Sequence, residues 1–167
     1  MSLDGYIADQ RGGVDWLNGQ DGAGEDMDAY SAFIREVDTV IMGWNTYHQI
    51  VTELSPEEWA YAGQTSYVVT HRAPPAADKI IFTGEGPCGL VSRLKREQGK
   101  KIWVCGGASI AQQLMEADLI DEYTISVIPT ILGAGIRLFG TIPGEIDLQL
   151  IQTRTYHGIT ELQYIRR

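Results

Sequence analysis

The sequence has little of what would mark a secreted, metal-binding or membrane protein. Its 167 residues include only two cysteines, Cys88 and Cys105. They lie in different predicted elements, so neither a disulfide framework nor a zinc site is indicated. No apolar run approaches the roughly 20 residues that span a bilayer, and no basic stretch followed by an apolar one opens the chain. These absences favour a cytoplasmic protein.

Basic residues are also few, with 13 Lys and Arg against 22 Asp and Glu and a net charge of -9. A nucleic-acid surface needs a clustered basic face, so this balance argues against one. An anionic ligand would therefore have to be held by local groups. The remaining composition, 44% hydrophobic and 21% charged, is that of a globular protein, and the length predicts one domain over residues 1–167.

Strand-like and helix-like segments alternate along the chain, which predicts an α/β architecture. Short apolar runs typical of parallel strands covered on both faces occur at Thr39–Met42, Ser66–Thr70, Lys79–Phe82 and Ile102–Cys105. Helices are predicted at Asp26–Val37, Asn45–Val51, Gly89–Gln98 and Ser109–Glu116. After Asp121 the segments are longer and alternate, and the last two meet at His157-Gly158, so the C-terminal part is predicted to be antiparallel.

Three predicted strands end in groups suited to an anion. Gly106-Gly107 follows IWVC and precedes a helix, so backbone N–H groups would face a ligand with no side chain in the way. The alternative is a tight turn with no ligand. A second strand end carries Gly43, Asn45 and Thr46. The third carries Thr70, His71 and Arg72.

These last two groups also have simpler interpretations. The group around Gly43 could be no more than a helix cap, and the group around Arg72 could be no more than the start of a solvated loop. Ligands of open α/β sheets collect beyond the carboxyl ends of the strands, and for that reason three such ends carry more weight than one.

Five stretches occur in an order found in a known superfamily: SLDGYIA, VIMGWNTY, VVTHR, VCGGASIAQQL and IPTILGAGIRLF. Together they resemble the dihydrofolate reductase superfamily, in particular small proteins similar to the reductase domain of bacterial riboflavin biosynthesis. The resemblance implies a three-layer fold with a mostly parallel central sheet, helices on both faces and an antiparallel C-terminal hairpin. It also implies NADPH as cofactor, a small-molecule substrate and a homodimer.

The resemblance also implies roles by position. Gly43, Asn45 and Thr46 would meet the pyrophosphate, and Thr70, His71 and Arg72 the adenosine 2′-phosphate. The residues that would meet the pyrophosphate and nicotinamide are Gly106, Gly107, Ala108, Ser109 and Ile110. Trp16 would belong to a loop that closes on the nicotinamide, with a core aromatic as the alternative. Gly133 and Gly135 would lie in a loop near the substrate, or simply form a turn between strands.

Some positions depart from the riboflavin reductases. Tyr6 stands where their first motif has Lys, Cys105 stands where a Glu precedes the glycine pair, and their Asp-Asp-Pro turn is absent after Gln49. Dihydrofolate reductase itself has an acid on its first helix. A helical wheel places Asp26 inside the apolar face of that helix and Asp28 on the opposite side.

Asp26 is therefore the candidate catalytic acid, with a helix cap as the alternative. In the superfamily an apolar strand precedes the SLDG motif. We accordingly expect that the first strand is truncated here and that Met1 is an internal residue of it, the alternative being a shortened strand. The sequence as a whole predicts an NADPH-dependent reductase acting on a small heterocyclic or carbonyl compound. The alternative is a non-catalytic nucleotide-binding dimer of the same fold.

Overall fold

The computed structural model describes residues 1–18 and 27–167, which divide into two compact units. One comprises Ser31–Ala117 and the other Met1–Tyr30 with Asp118–Arg167. The strands are β1 Tyr6–Ala8, β2 Val37–Gly43, β3 Thr65–Val69, β4 Ile80–Thr83, β5 Lys101–Gly106, β6 Glu122–Val127, β7 Ile136–Arg137, β8 Leu148–Tyr156 and β9 Ile159–Arg166. The helices are α1 Met27–Arg35, α2 Trp44–Gln49, α3 Pro87–Leu94 and α4 Ala108–Glu116. The prediction of one domain stays a prediction.

The unit Ser31–Ala117 is built on a four-stranded parallel sheet in the order β4-β3-β2-β5. All four predicted parallel strands are present, each within two residues of its expected bounds. β2 pairs on both sides, and its residues Val40, Ile41 and Met42 are fully buried. An apolar run without alternation is what a strand covered on both faces requires. The α/β prediction is therefore confirmed.

A row of aromatic rings packs beside the core of this unit. The core cluster consists of Val37, Val40, Met42, Ile50 and Val68. Neighbouring ring centroids in the row lie 5.2–5.7 Å apart, in the order Phe33, Trp103, Tyr61, Trp59, Tyr47 and Phe82. Four of these five contacts are edge-to-face, the arrangement that the ring quadrupole favours. We refer to these six residues as the aromatic row.

The first three helices differ from their predicted bounds, and α3 runs over Pro87–Leu94 where Gly89–Gln98 was predicted. α1 ends at Arg35, whereas the helical period included Val37. Val37 instead begins β2 opposite Lys101, because the parallel ladder satisfies its backbone groups there. α2 is followed by a π-helical turn over Ile50–Leu54, so the chain continues in helical form beyond the predicted end at Val51.

The second unit contains an antiparallel sheet in the order β6-β9-β8. β8 and β9 form the predicted hairpin, and the two residues of its turn have positive φ, 44° at His157 and 75° at Gly158. Such a two-residue turn matches the twist of the flanking strands. β1 and β7 form a separate two-stranded sheet that the sequence did not indicate, because three and two residues are too few to show a period.

Within the described part of the chain, no helix has the length and apolarity needed to cross a membrane. The same residues contain no group of three or more His, Cys, Asp or Glu side chains arranged to hold a metal ion. Cys88 and Cys105 are both free thiols.

Gly135→Ala should destabilise the protein by about 2 kcal/mol or more. Gly135 has a φ of 153°, and a Cβ there would collide with the carbonyl oxygen of Ala8. Gly133→Ala is the matched control, since Gly133 also has a positive φ, 73°, but an added Cβ would meet nothing within 4 Å. It should cost roughly 1 kcal/mol. Equal losses in urea unfolding would contradict the collision with Ala8.

Candidate functional site

Three of the predicted anion-binding groups lie at one edge of the parallel sheet. β2 ends at Gly43, which is opposite Val69 of β3, while Met42 is opposite Gly106 of β5. Because the strands are parallel and adjacent, the residues that follow each of them emerge on either side of Gly43. This edge is where ligands of open α/β sheets bind.

The Gly106-Gly107 turn fits closely against α2. Gly106 has a φ of 150° and its peptide bond to Gly107 is cis. A Cβ at Gly106 would lie 3.2 Å from Oγ1 of Thr46. The positive φ favours glycine at this point, and an added Cβ would press against the Thr46 side chain.

Gly107 is the N-cap of α4, and no side chain caps that helix. Its carbonyl accepts hydrogen bonds from the amides of Ile110 and Ala111, whereas Ala108 and Ser109 occupy the first turn. Amide groups at the start of a helix favour an anion through the helix dipole. The Ile110 side chain is buried, and its Cδ1 would lie 3.5 Å from a Cβ at Gly43. Ile110 thus packs against Gly43, and because its amide already donates to Gly107, the donors that α4 offers a ligand are those of Ala108 and Ser109.

α2 begins in the same way, with a glycine at its N-cap. Gly43 holds that position in an extended conformation, and no side chain caps the helix. Asn45 and Thr46 lie in its first turn, Asn45 exposed and Thr46 half-buried against the glycine pair. The simpler interpretation, in which these polar residues cap the helix, is therefore wrong.

Thr70, His71 and Arg72 form an ordered continuation of β3. The buried Thr70 donates its amide to the Thr83 carbonyl at 2.8 Å and accepts the Arg72 amide on Oγ1 at 3.1 Å. The guanidinium of Arg72 lies 4.9 Å from the ring centroid of Trp44, the first residue of α2. This cation–π contact holds a positive charge beside the strand ends. His71 is exposed.

Cys105 precedes the glycine pair and contacts the aromatic row. Its sulfur lies 3.2 Å from the hydroxyl oxygen of Tyr61. Burial raises the pKa of the Cys105 thiol, and the contact with Tyr61 opposes that effect only in part. The thiol is therefore neutral at physiological pH, and this position supplies no carboxylate.

Asp26, the predicted catalytic acid, lies outside the described residues. Trp16, Gly133 and Gly135 belong to the second unit. Trp16 lies in a 3₁₀ turn over Asp15–Asn18, is half-buried, and donates its indole N–H to the Gly13 carbonyl at 3.3 Å. The substrate roles of these residues stay predictions.

A hydrogen-bond network around Asp4 holds the loop that contains Gly133. Asp4 Oδ2 accepts the Gly133 amide at 2.7 Å, and Oδ1 accepts the Leu132 amide at 3.1 Å and the Ser2 hydroxyl at 2.7 Å. These bonds, chiefly that from Ser2, lower the pKa of the Asp4 carboxyl. We call this the Asp4 network. The Asp4 network gives a structural role to Ser2 and Asp4 of the SLDG motif. From the sequence alone, that motif indicated only the family.

Tyr6, the residue that replaces the family's Lys, supports an arginine from the facing strand. The Arg137 guanidinium lies 4.7 Å from the Tyr6 ring centroid, and Nη2 donates to the Tyr6 hydroxyl at 3.1 Å. Tyr6 itself is buried, whereas Arg137 is exposed. A cation therefore remains near position 6, although it comes from another strand.

Residues 1–162 match the model of the RibD C-terminal domain family. The chain belongs to that family, whose reductase domains have the dihydrofolate reductase-like fold. Among curated proteins, it is 39% identical to "Uncharacterized protein YwjB" of Bacillus subtilis, over 99% of this chain and 94% of that protein. It is 25% identical to the riboflavin biosynthesis protein RibD of Haemophilus influenzae, over 89% of this chain and 50% of RibD.

Solved structures agree with this assignment. A "putative riboflavin biosynthesis protein" of Shewanella superposes with a TM-score of 0.85 at 28% identity, covering 100% of this chain and 95% of that one. The Thermotoga maritima deaminase/reductase superposes with a TM-score of 0.70 at 12% identity, over 99% of this chain and 54% of that one. The second likeness concerns the fold alone. The predicted family and fold class are thereby confirmed.

Asp4→Asn should lower the melting temperature at pH 7 and flatten its dependence on acid pH. A carboxyl whose pKa is lowered by folding contributes stability above its unfolded value, near 3.8, and this stability is lost as the pH falls through the lower folded value. The melting temperatures of wild type and variant should therefore converge only as the pH falls below 3.8 toward the lowered folded value. Asp78→Asn, at an exposed loop carboxylate, is the control. A constant gap across the titration would contradict the assigned role.

Proposed function

We propose that this protein is an NADPH-dependent reductase that transfers hydride to a small heterocyclic, pterin- or pyrimidine-like, or carbonyl substrate. The observation that carries the proposal is the convergence of Gly43, Arg72 and Gly106-Gly107 at one edge of the parallel sheet. Membership of a family of reductase domains supports it.

The residues at this edge fit a dinucleotide with a phosphorylated adenosine. The uncapped first turns of α2 and α4 offer backbone amides to the pyrophosphate. The glycine pair lets the ligand approach the backbone. Arg72, with Thr70 and His71, would bind the 2′-phosphate, which a guanidinium recognises through charge-assisted hydrogen bonds. The cofactor supplies a hydride from its nicotinamide, and the protein supplies orientation and water exclusion.

At position 105, where the family resemblance implies substrate contact, the surroundings would favour a flat ring of low polarity. Cys105, Tyr61 and Trp103 lie together just before the glycine pair and carry no charge. A ribityl chain would find no carboxylate at position 105. We therefore propose a substrate distinct from that of the riboflavin enzymes, with Asp26 or ordered water as the proton source.

NADPH should raise the melting temperature more than NADH does at equal concentration, because only NADPH carries the 2′-phosphate. Arg72→Gln should weaken NADPH binding about tenfold or more, as expected for a lost charge-assisted bond, and leave NADH binding nearly unchanged. Arg96→Gln, at an exposed arginine in the loop after α3, is the charge-matched control. Equal shifts with the two cofactors would contradict the assignment of the Thr70–Arg72 loop.

A panel of pterin, pyrimidine and carbonyl compounds should include one that supports NADPH oxidation. The oxidation is measured as the loss of NADPH absorbance. Asp26→Asn should then lower kcat by roughly 10²-fold or more if Asp26 is the acid. Asp28→Asn is the matched control, since the helical wheel places it on the opposite side. Tight NADPH binding without turnover across the panel would instead support the non-catalytic alternative, which the neutral Cys105 favours.

A further inference from the structure

One arginine of the second unit lies against an aromatic ring and not against a carboxylate. The guanidinium of Arg137 lies 4.7 Å from the Tyr6 ring centroid, and Nη2 donates to the Tyr6 hydroxyl at 3.1 Å. Arg154 and Arg166 of the same unit each lie within 4.0 Å of a carboxylate oxygen. Among the described residues, no carboxylate comes that close to Arg137. Its permanent positive charge is therefore not neutralised by a described neighbour.

The position of this guanidinium is fixed by the fold. Arg137 lies opposite Tyr6 in the pairing of β1 with β7. The Tyr6 hydroxyl accepts from Arg137 and donates to the Gly133 carbonyl at 3.4 Å. The amide of Gly133 is in turn bound by the Asp4 network. A cation that is oriented in this way before a ligand arrives loses little conformational entropy on binding.

The guanidinium is also accessible. It carries five N–H donors, of which one meets the Tyr6 hydroxyl. Arg137 is exposed, and its Nη1 lies beside Gly5, a residue with no side chain to cover it. The first atom that an added Cβ at Gly5 would meet is this nitrogen, at 4.0 Å. The planar fork of a guanidinium matches the two oxygens of a carboxylate or a phosphate.

The cofactor phosphates have their proposed sites in the other unit, at Gly43, Arg72 and Gly106-Gly107. With a net charge of -9, the protein repels other anions unless a local cation attracts them. We infer that Arg137 binds an anionic group of the substrate, a carboxylate or a phosphate, and that Tyr6 is its positioning residue. This inference rests on the proposed function, and it narrows the substrate to a ring compound that carries such a group.

Three probes that share one ring test the site: benzoate, phenyl phosphate and the uncharged benzamide. Each is titrated into the protein at constant ionic strength, and binding is followed by calorimetry or NMR. At least one of the two anions should bind wild type about tenfold or more tightly than benzamide does, as expected for a charge-assisted contact. The anion that binds more tightly identifies carboxylate or phosphate. Equal binding of all three probes, or binding of none, would overturn the inference.

Variants locate the preference for an anion. Arg137→Gln should abolish it, whereas Arg154→Gln, which removes a cation elsewhere in the same unit, should retain it. Tyr6→Phe keeps the ring and removes the hydroxyl that accepts from Nη2, so the preference should fall by a smaller factor. A preference that survives Arg137→Gln, or that Arg154→Gln removes equally, would contradict the assignment.

Measurements with NADPH separate this inference from the proposed function. Arg137→Gln should leave NADPH affinity unchanged, and it should raise the KM of an anionic substrate with little change in kcat. An equal loss of NADPH and probe affinity would mean that Arg137 binds the cofactor, which also overturns the inference. If no compound is reduced, the reductase proposal fails, whereas the probes still report whether Arg137 selects an anion.

Discussion

The parallel ladder that pairs β2 with both β3 and β5 is the constraint on which the candidate site depends. It brings Gly43, Val69 and Gly106 to the same edge, although they are far apart in sequence. A strand buried on both faces is largely apolar, so the polar groups suited to a ligand lie mainly in the residues that follow the strands. These residues are glycines, helix starts and one arginine held on an aromatic ring.

The same ladder places an uncharged cluster of side chains just before the glycine pair. Trp103 and Cys105 pack with the core cluster on the side of the aromatic row. Their packing leaves a wall of rings and a neutral thiol just before the glycine pair. The backbone features expected of a nucleotide site thus stand beside an uncharged residue at position 105.

The fold was predictable where the sequence signal is local. Apolar runs marked the four parallel strands, alternation marked the hairpin, and His157-Gly158 marked its turn. The end of α1 was not predictable from its period. Val37 fits the apolar face of the helix, yet it enters β2 because the ladder to Lys101 supplies backbone partners. A pattern that spans a few residues cannot take account of a backbone hydrogen-bonding partner more than 60 residues away in the chain.

The sequence by itself determined the class of protein, the strand ends and the glycines that a backbone-binding site needs. Only the tertiary structure decided which side chains meet. Asp4 reaches Gly133 across 129 positions, Cys105 reaches Tyr61 across 44, and Arg137 lies on Tyr6 across 131. The physical reason is that periodicity and propensity act over a few residues, whereas hydrogen bonds and ring contacts form wherever the chain returns.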